Sequence, residues 1–114
     1  MKDDRVYLRH ILRCISRIQE YTAGGREAFF SSALIQDGTL RNLQTMAEST
    51  QRLSAELKSR RPDIAWPALA GFRNTIVHDY MGVDLEQIYR AVEHDCPLLR
   101  QACEFLLQQT LKRE

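Results

Sequence analysis

The chain has 114 residues, 44% hydrophobic and 27% charged, enough to bury a core without metal or disulfide staples and too short for two domains. No apolar run approaches the roughly 18 residues of a membrane span, the polar start Met1-Lys2-Asp3-Asp4-Arg5 is no signal peptide, and five glycines with three prolines disfavour a turn-rich β domain. Net charge is only +1, but residues 1–61 carry +4 and residues 62–114 carry −3, and thirteen of the sixteen basic residues are arginine, whose planar fork suits phosphate.

The expected class is all-α: an up-and-down bundle of four to five helices, residues 1–114 forming a single domain in the cytoplasm. A first helix runs from about Asp4 to Thr22, with Asp3 or Asp4 as N-cap and Gly24-Gly25 as its stop. Leu8, Ile11, Leu12, Ile15 and Ile18 share its apolar face, and Arg5, Arg9, Arg13 and Arg17 form a stripe on the other side. A short turn of helix follows at Arg26–Ser31. The next helix extends to about Ser59 through Leu40, Leu43, Ala47, Leu53 and Leu57, with Gly38 weakening its start. Pro62 breaks the chain. Pro67 to about Tyr80 reads as a helix with proline in its first turn and Gly82 just past its end. Asp84 caps a last helix with Leu85, Ile88, Val92, Cys96, Leu99, Cys103 and Leu106 on one seam, which Pro97 should kink or split. Cys14, Cys96 and Cys103 contain no C-x-x-C pair and read as buried free thiols.

The segment from Gly71 to Gly82 carries more polar chemistry than a core helix needs. Leu69, Phe72 and Ile76 supply its apolar steps, yet Arg73, Asn74, His78, Asp79 and Tyr80 crowd into two turns. Such a set suits phosphodiester cleavage: an imidazole exchanges a proton near neutral pH, and a guanidinium neutralises charge building on phosphate oxygens. Asn74 is placed to orient either group. At 100° per residue, Arg73 and His78 diverge by about 140°, so one helix cannot aim both at one atom without arginine's reach, a frayed helix end or a second copy of the helix. The same residues also fit a plain helix end with an exposed arginine and a hydrogen-bonded histidine.

The spacing Arg73-x4-His78-x-Tyr80 resembles the signature of the HEPN superfamily in its HepT-like toxin branch. The likeness extends along the chain: Asp4-Arg5-Val6-Tyr7-Leu8-Arg9-His10-Ile11-Leu12 resembles the branch's first helix. Arg41-Asn42-Leu43 with Ala47-Glu48 resembles its third, although a Gly-Glu pair is commoner there. Asp84-Leu85 and Asp95-Cys96-Pro97 match its last helices in position. The resemblance implies a homodimeric toxin that is a metal-independent endoribonuclease, with Arg73 and His78 as catalytic pair and Asn74 in support. Activation of the ribose 2′-hydroxyl would leave a cyclic phosphate. It further implies a minimal nucleotidyltransferase antitoxin that silences the toxin by transferring AMP to Tyr80, with transfer RNA or messenger RNA as substrate. A non-catalytic helical module that binds a nucleotidyltransferase or its nucleotide is the alternative.

The remaining candidates divide between function and packing. Arg5, Arg9, Arg13 and Arg17 track an RNA backbone or form a solvated face. Arg41, Asn42 and Glu48 support the site or a dimer contact, or belong to a polar network between helices. His10 and His94 read as surface or packing residues, and Asp79 as a partner of Arg73 or His78. Tyr7, Tyr21 and Tyr89 pack at the bundle rim, and Trp66 is a hydrophobic plug. No metal-ligand spacing and no cofactor motif is present, so neither is expected.

Overall fold

The computed structural model describes residues 3–112, and every regular element among them is helical. Helix α1 (Asp4–Tyr21) begins where the Asp3 carboxylate accepts from the Arg5 N–H at 2.9 Å, which settles the N-cap on Asp3. Its face of Leu8, Ile11, Cys14, Ile15 and Ile18 is fully buried. The chain turns through Gly25, whose φ of 90° lies in the left-handed region open to glycine, into the short α2 (Arg26–Phe30). Ser32 caps α3 (Ala33–Arg52) by accepting from the Ile35 N–H.

The long helix expected to reach Ser59 stops at Arg52. Leu53 is extended, and Ser54 starts a separate helix, α4 (Ala55–Ser59), by accepting from the Leu57 N–H. Asp4 fixes this break. Its carboxylate accepts from both the Ser54 N–H (2.9 Å) and the Ser54 hydroxyl (2.7 Å), tying the turn to the start of α1. Fifty residues of sequence separate the two partners, so local pattern does not show it.

Helix α5 (Trp66–His78) carries Pro67 in its first turn, as expected. It ends two residues short of the expected Tyr80. Asp79 leaves helical geometry at φ −137°, and Tyr80–Gly82 form one 3-10 turn. Gly82 sits so close to the Asp79 carboxylate that a Cβ there would lie 2.6 Å from Oδ1. Trp66 does more than plug the core: its indole N–H reaches the Lys58 and Arg61 carbonyls, both at 3.1 Å, and holds the α4–α5 loop.

The last helix is continuous rather than split. Helix α6 (Leu85–Arg90), capped by Asp84, passes through a π turn (Ala91–Asp95) into α7 (Cys96–Lys112). Pro97 has no N–H to give the Glu93 carbonyl, and the widened turn absorbs the lost rung and the ring's bulk. The seam of Ile88, Val92, Cys96, Leu99, Cys103 and Leu106 stays buried across it.

Helix α1 packs between α3 and α7, and α5 packs on the other side of α3. These three with α6–α7 make the up-and-down bundle. Its core joins Leu8, Ile11, Ile15, Ile18, Leu43, Ile76, Ile88 and Leu106, each contributing about 1.5–3 kcal/mol of apolar burial. All three cysteines are buried and free. No helix among the described residues is long and apolar enough to cross a membrane.

Candidate catalytic site on helix α5

Packing of α5 on α3 decides where Arg73 goes. Ile76 is buried against α3, so Arg73, three residues earlier, also faces that helix. Its Nε donates to the Glu48 carboxylate at 3.0 Å, and its Nη1 donates to the Asn74 side-chain oxygen at 3.2 Å. Arginine and carboxylate are each about one-third exposed, so the pair is fixed yet reachable. Glu48 is therefore a support of Arg73. Asn42, by contrast, turns inward and donates to the Gly38 carbonyl within its own helix, and Arg41 is exposed.

His78 is the last residue of α5 and is exposed, its ring making no hydrogen bond among the described residues. Five residues of regular helix carry it about 140° from Arg73. The single chain thus does not bring Arg73 and His78 together. Nor does Asp79 pair with either: its carboxylate packs against Gly82, because the backbone has already left the helix there.

Tyr80 lies in the turn beyond, nearly half exposed, and donates its hydroxyl to Asp37 of α3 at 2.5 Å. The bond to the carboxylate, with some burial, holds the phenol proton and pushes its pKa above the ordinary 10.0. Asp37 was not legible as a partner: it sits 43 residues away, with no local motif.

The arginine stripe is unequal. Arg5 grips Asp3 through two nitrogens, holding that carboxyl down at about 2, whereas Arg9, Arg13 and Arg17 are exposed. His10 is not a bland surface residue. Its Nδ1 lies 2.6 Å from Ser49 Oγ, and its Nε2 lies 3.6 Å from Cys14 Sγ. Burial first, then the charges of Arg13 and Arg17, push its pKa below the ordinary 6.5.

Two cavities flank α5. A polar groove of about 620 Å³ is lined by Tyr7 and His10 of α1, Glu48, Ser49 and Arg52 of α3, and Arg73. An apolar one of about 430 Å³, among Leu43, Met46, Leu69, Phe72 and Leu99, offers little chemistry. Among the described residues no three His, Cys, Asp or Glu side chains converge as metal ligands would.

A family model described as Ribonuclease HepT-like matches residues 11–106. The chain belongs to the HepT-like ribonuclease family. Among HepT-like relatives, it is 31% identical over 98 residues to "Probable ribonuclease HepT" of Thermococcus cleftensis, covering 82% of this chain and 86% of that one. It is 35% identical over 101 residues to "Gamma-glutamylcyclotransferase and putative RNase" of Methanocaldococcus jannaschii. That match covers 88% of this chain but only 46% of the relative, so the HepT-like chain spans less than half of that protein. A solved structure titled "Crystal structure of the toxin-antitoxin with AMP-PNP" shares the HepT-like fold, with a TM-score of 0.68 at 23% identity over 93% of this chain and 99% of that one.

Proposed function

We propose that this chain is the toxin of a cytoplasmic toxin–antitoxin pair and acts as a metal-independent endoribonuclease. Family membership supports the ribonuclease, and a fold neighbour solved as a toxin–antitoxin complex supports the pairing. The observation that carries the mechanism is the division of labour on α5: Arg73 is braced by Glu48 at an open groove, while His78 stands exposed about 140° away. A second copy of α5 across a homodimer axis supplies each site with the residue that the first copy points elsewhere.

In this site His78 takes the proton of a ribose 2′-hydroxyl, whose oxygen attacks the adjacent phosphorus. Arg73 neutralises the charge that builds on the phosphate oxygens, and Asn74 keeps the guanidinium in register. The bond to the 5′-oxygen breaks, the leaving oxygen gains a proton, and a cyclic 2′,3′-phosphate remains. Transfer RNA and messenger RNA both contain the required hydroxyl. Silencing follows from the exposure of Tyr80: a nucleotidyltransferase antitoxin adds AMP to its hydroxyl, placing negative charge where RNA phosphate must enter.

The test is cleavage of pooled cellular RNA by wild type and His78→Ala, both in excess chelator and both checked for mass to exclude prior modification of Tyr80. Discrete fragments from wild type alone support the reading. Inactivity of unmodified wild type supports the alternative of a non-catalytic module that binds a nucleotidyltransferase or its nucleotide. Cleavage that appears only on adding a metal overturns the mechanism.

A further inference from the structure

The polar groove beside Arg73 holds more recognition chemistry than a bare phosphate contact needs. Arg73 uses Nε on Glu48 and Nη1 on Asn74, which leaves Nη2 without a partner among the described residues. Arg52, in the last turn of α3, lines the same groove and pairs with no carboxylate among the described residues. Two guanidiniums against the one carboxylate of Glu48 leave a single net positive charge. That balance matches a phosphodiester, with one negative charge, better than a free triphosphate.

The rest of the lining is uncharged and directional. Ser49 and His10 are 2.6 Å apart, His10 Nε2 is 3.6 Å from the Cys14 thiol, and that sulfur is 3.4 Å from the Thr45 hydroxyl. Each contact joins a group that can give a hydrogen bond to one that can take it, so the imidazole can stay neutral and hold the Ser49 hydroxyl in one orientation at the groove. Burial beside Arg13 and Arg17 favours that neutral form. Tyr7 adds an aromatic ring at the edge. A phosphate-sized anion uses neither a ring nor an oriented hydroxyl; a nucleotide uses both. The volume, about 620 Å³, is within the roughly 300–1,000 Å³ of small-molecule sites.

We propose that this groove is a nucleotide subsite for single-stranded RNA: Arg73 and Arg52 hold one phosphodiester, Tyr7 packs against the adjoining base, and Ser49, oriented by His10, hydrogen-bonds that base or its sugar. The subsite rests on the ribonuclease reading and extends it from cleavage to strand positioning. Ser49 and Arg52 touch RNA, and His10 is a positioning residue that acts through Ser49.

The probe is a fluorescein-labelled 2′-O-methyl oligoribonucleotide, which has no free 2′-hydroxyl to attack. Anisotropy should show Ser49→Ala and Arg52→Ala binding about tenfold more weakly than wild type, with unchanged helicity by circular dichroism. Arg90→Ala, which removes an exposed arginine on α6, should bind as wild type does. His10→Gln retains a hydrogen-bonding side chain and should keep more affinity than His10→Ala. On titration with the oligonucleotide, the side-chain NMR resonances of His10 should move while those of exposed His94 stay. Wild type that cleaves RNA, with Ser49→Ala and Arg52→Ala binding within about twofold of it and His10 unmoved, overturns the subsite and leaves the ribonuclease reading standing. ATP displacing the oligonucleotide at lower concentrations than unlabelled oligonucleotide does would overturn it in favour of a free nucleotide. Wild type that neither binds nor cleaves RNA removes both.

Discussion

Arg73 and Glu48 form an ion pair at 3.0 Å across 25 residues of sequence, and it joins the motif helix to α3. Glu48 sets the direction of the guanidinium that, in the proposed mechanism, meets the phosphate, yet adds a negative charge beside it. Glu48→Gln removes the charge and loosens the arginine. The expected result is RNA binding as tight as wild type or tighter, with turnover reduced about tenfold. Because both side chains are partly exposed, the stability lost should be only about 1 kcal/mol. Parallel kinetics and urea unfolding separate these effects; equal losses in binding and turnover would contradict a positioning role.

Tyr80 and Asp37 are coupled at 2.5 Å, and the carboxylate holds the phenol proton. In a spectrophotometric titration of the four tyrosines, one should ionise above the ordinary 10.0. Asp37→Ala should bring that transition down, and Tyr80→Phe should delete it. Tyr80→Phe should also accept no AMP from a nucleotidyltransferase partner, as read by intact mass; continued labelling would place the modification elsewhere.

His10 gives the fold a pH dependence of defined sign. Its native pKa lies below 6.5, so between that lower value and 6.5 the unfolded chain binds more protons than the folded one. Stability therefore falls as pH drops through this window and is level above it. Against His10→Gln, which cannot titrate, wild-type denaturation midpoints should decline as pH drops below 6.5. Parallel declines in the two proteins would mean that His10 is not the group responsible.

The thiols should be inert while the protein is folded. Burial pushes both Cys96 and Cys103 up to about 12, and Cys14 is fully enclosed in α1. Ellman's reagent should find no rapidly reacting thiol in the native protein and three after denaturation. A fast native reaction would reveal opening of the α1–α7 seam.

Helix periodicity marks the buried faces of α1 and of the last helix, but it runs through the break at Leu53 without showing it. Leu8 to Ile18 and Ile88 to Leu106 bury as their spacing requires, since one continuous face can meet only the core. The ends were less legible. Ser54 looks unremarkable as a cap until Asp4 binds it, and α5 stops at His78, where Asp79 leaves helical geometry and its carboxylate lies against Gly82. The motif residues Arg73, Asn74, His78 and Tyr80 stood out because their polarity exceeds what a core helix needs. His10 did not, since a lone histidine near the start of an amphipathic helix carries no local signal.

By itself, the sequence determined the class of fold, the buried faces of α1 and of the last helix, and which short segment crowds polar side chains together. Local spacing suffices for these, because neighbours along a helix are also neighbours in space. Tertiary structure decided the partners: Glu48 for Arg73, Asp37 for Tyr80, Ser49 for His10 and Asp4 for Ser54. Each joins residues 25 to 50 positions apart, and only the packing of α1, α3 and α5 brings such distant side chains within hydrogen-bonding reach.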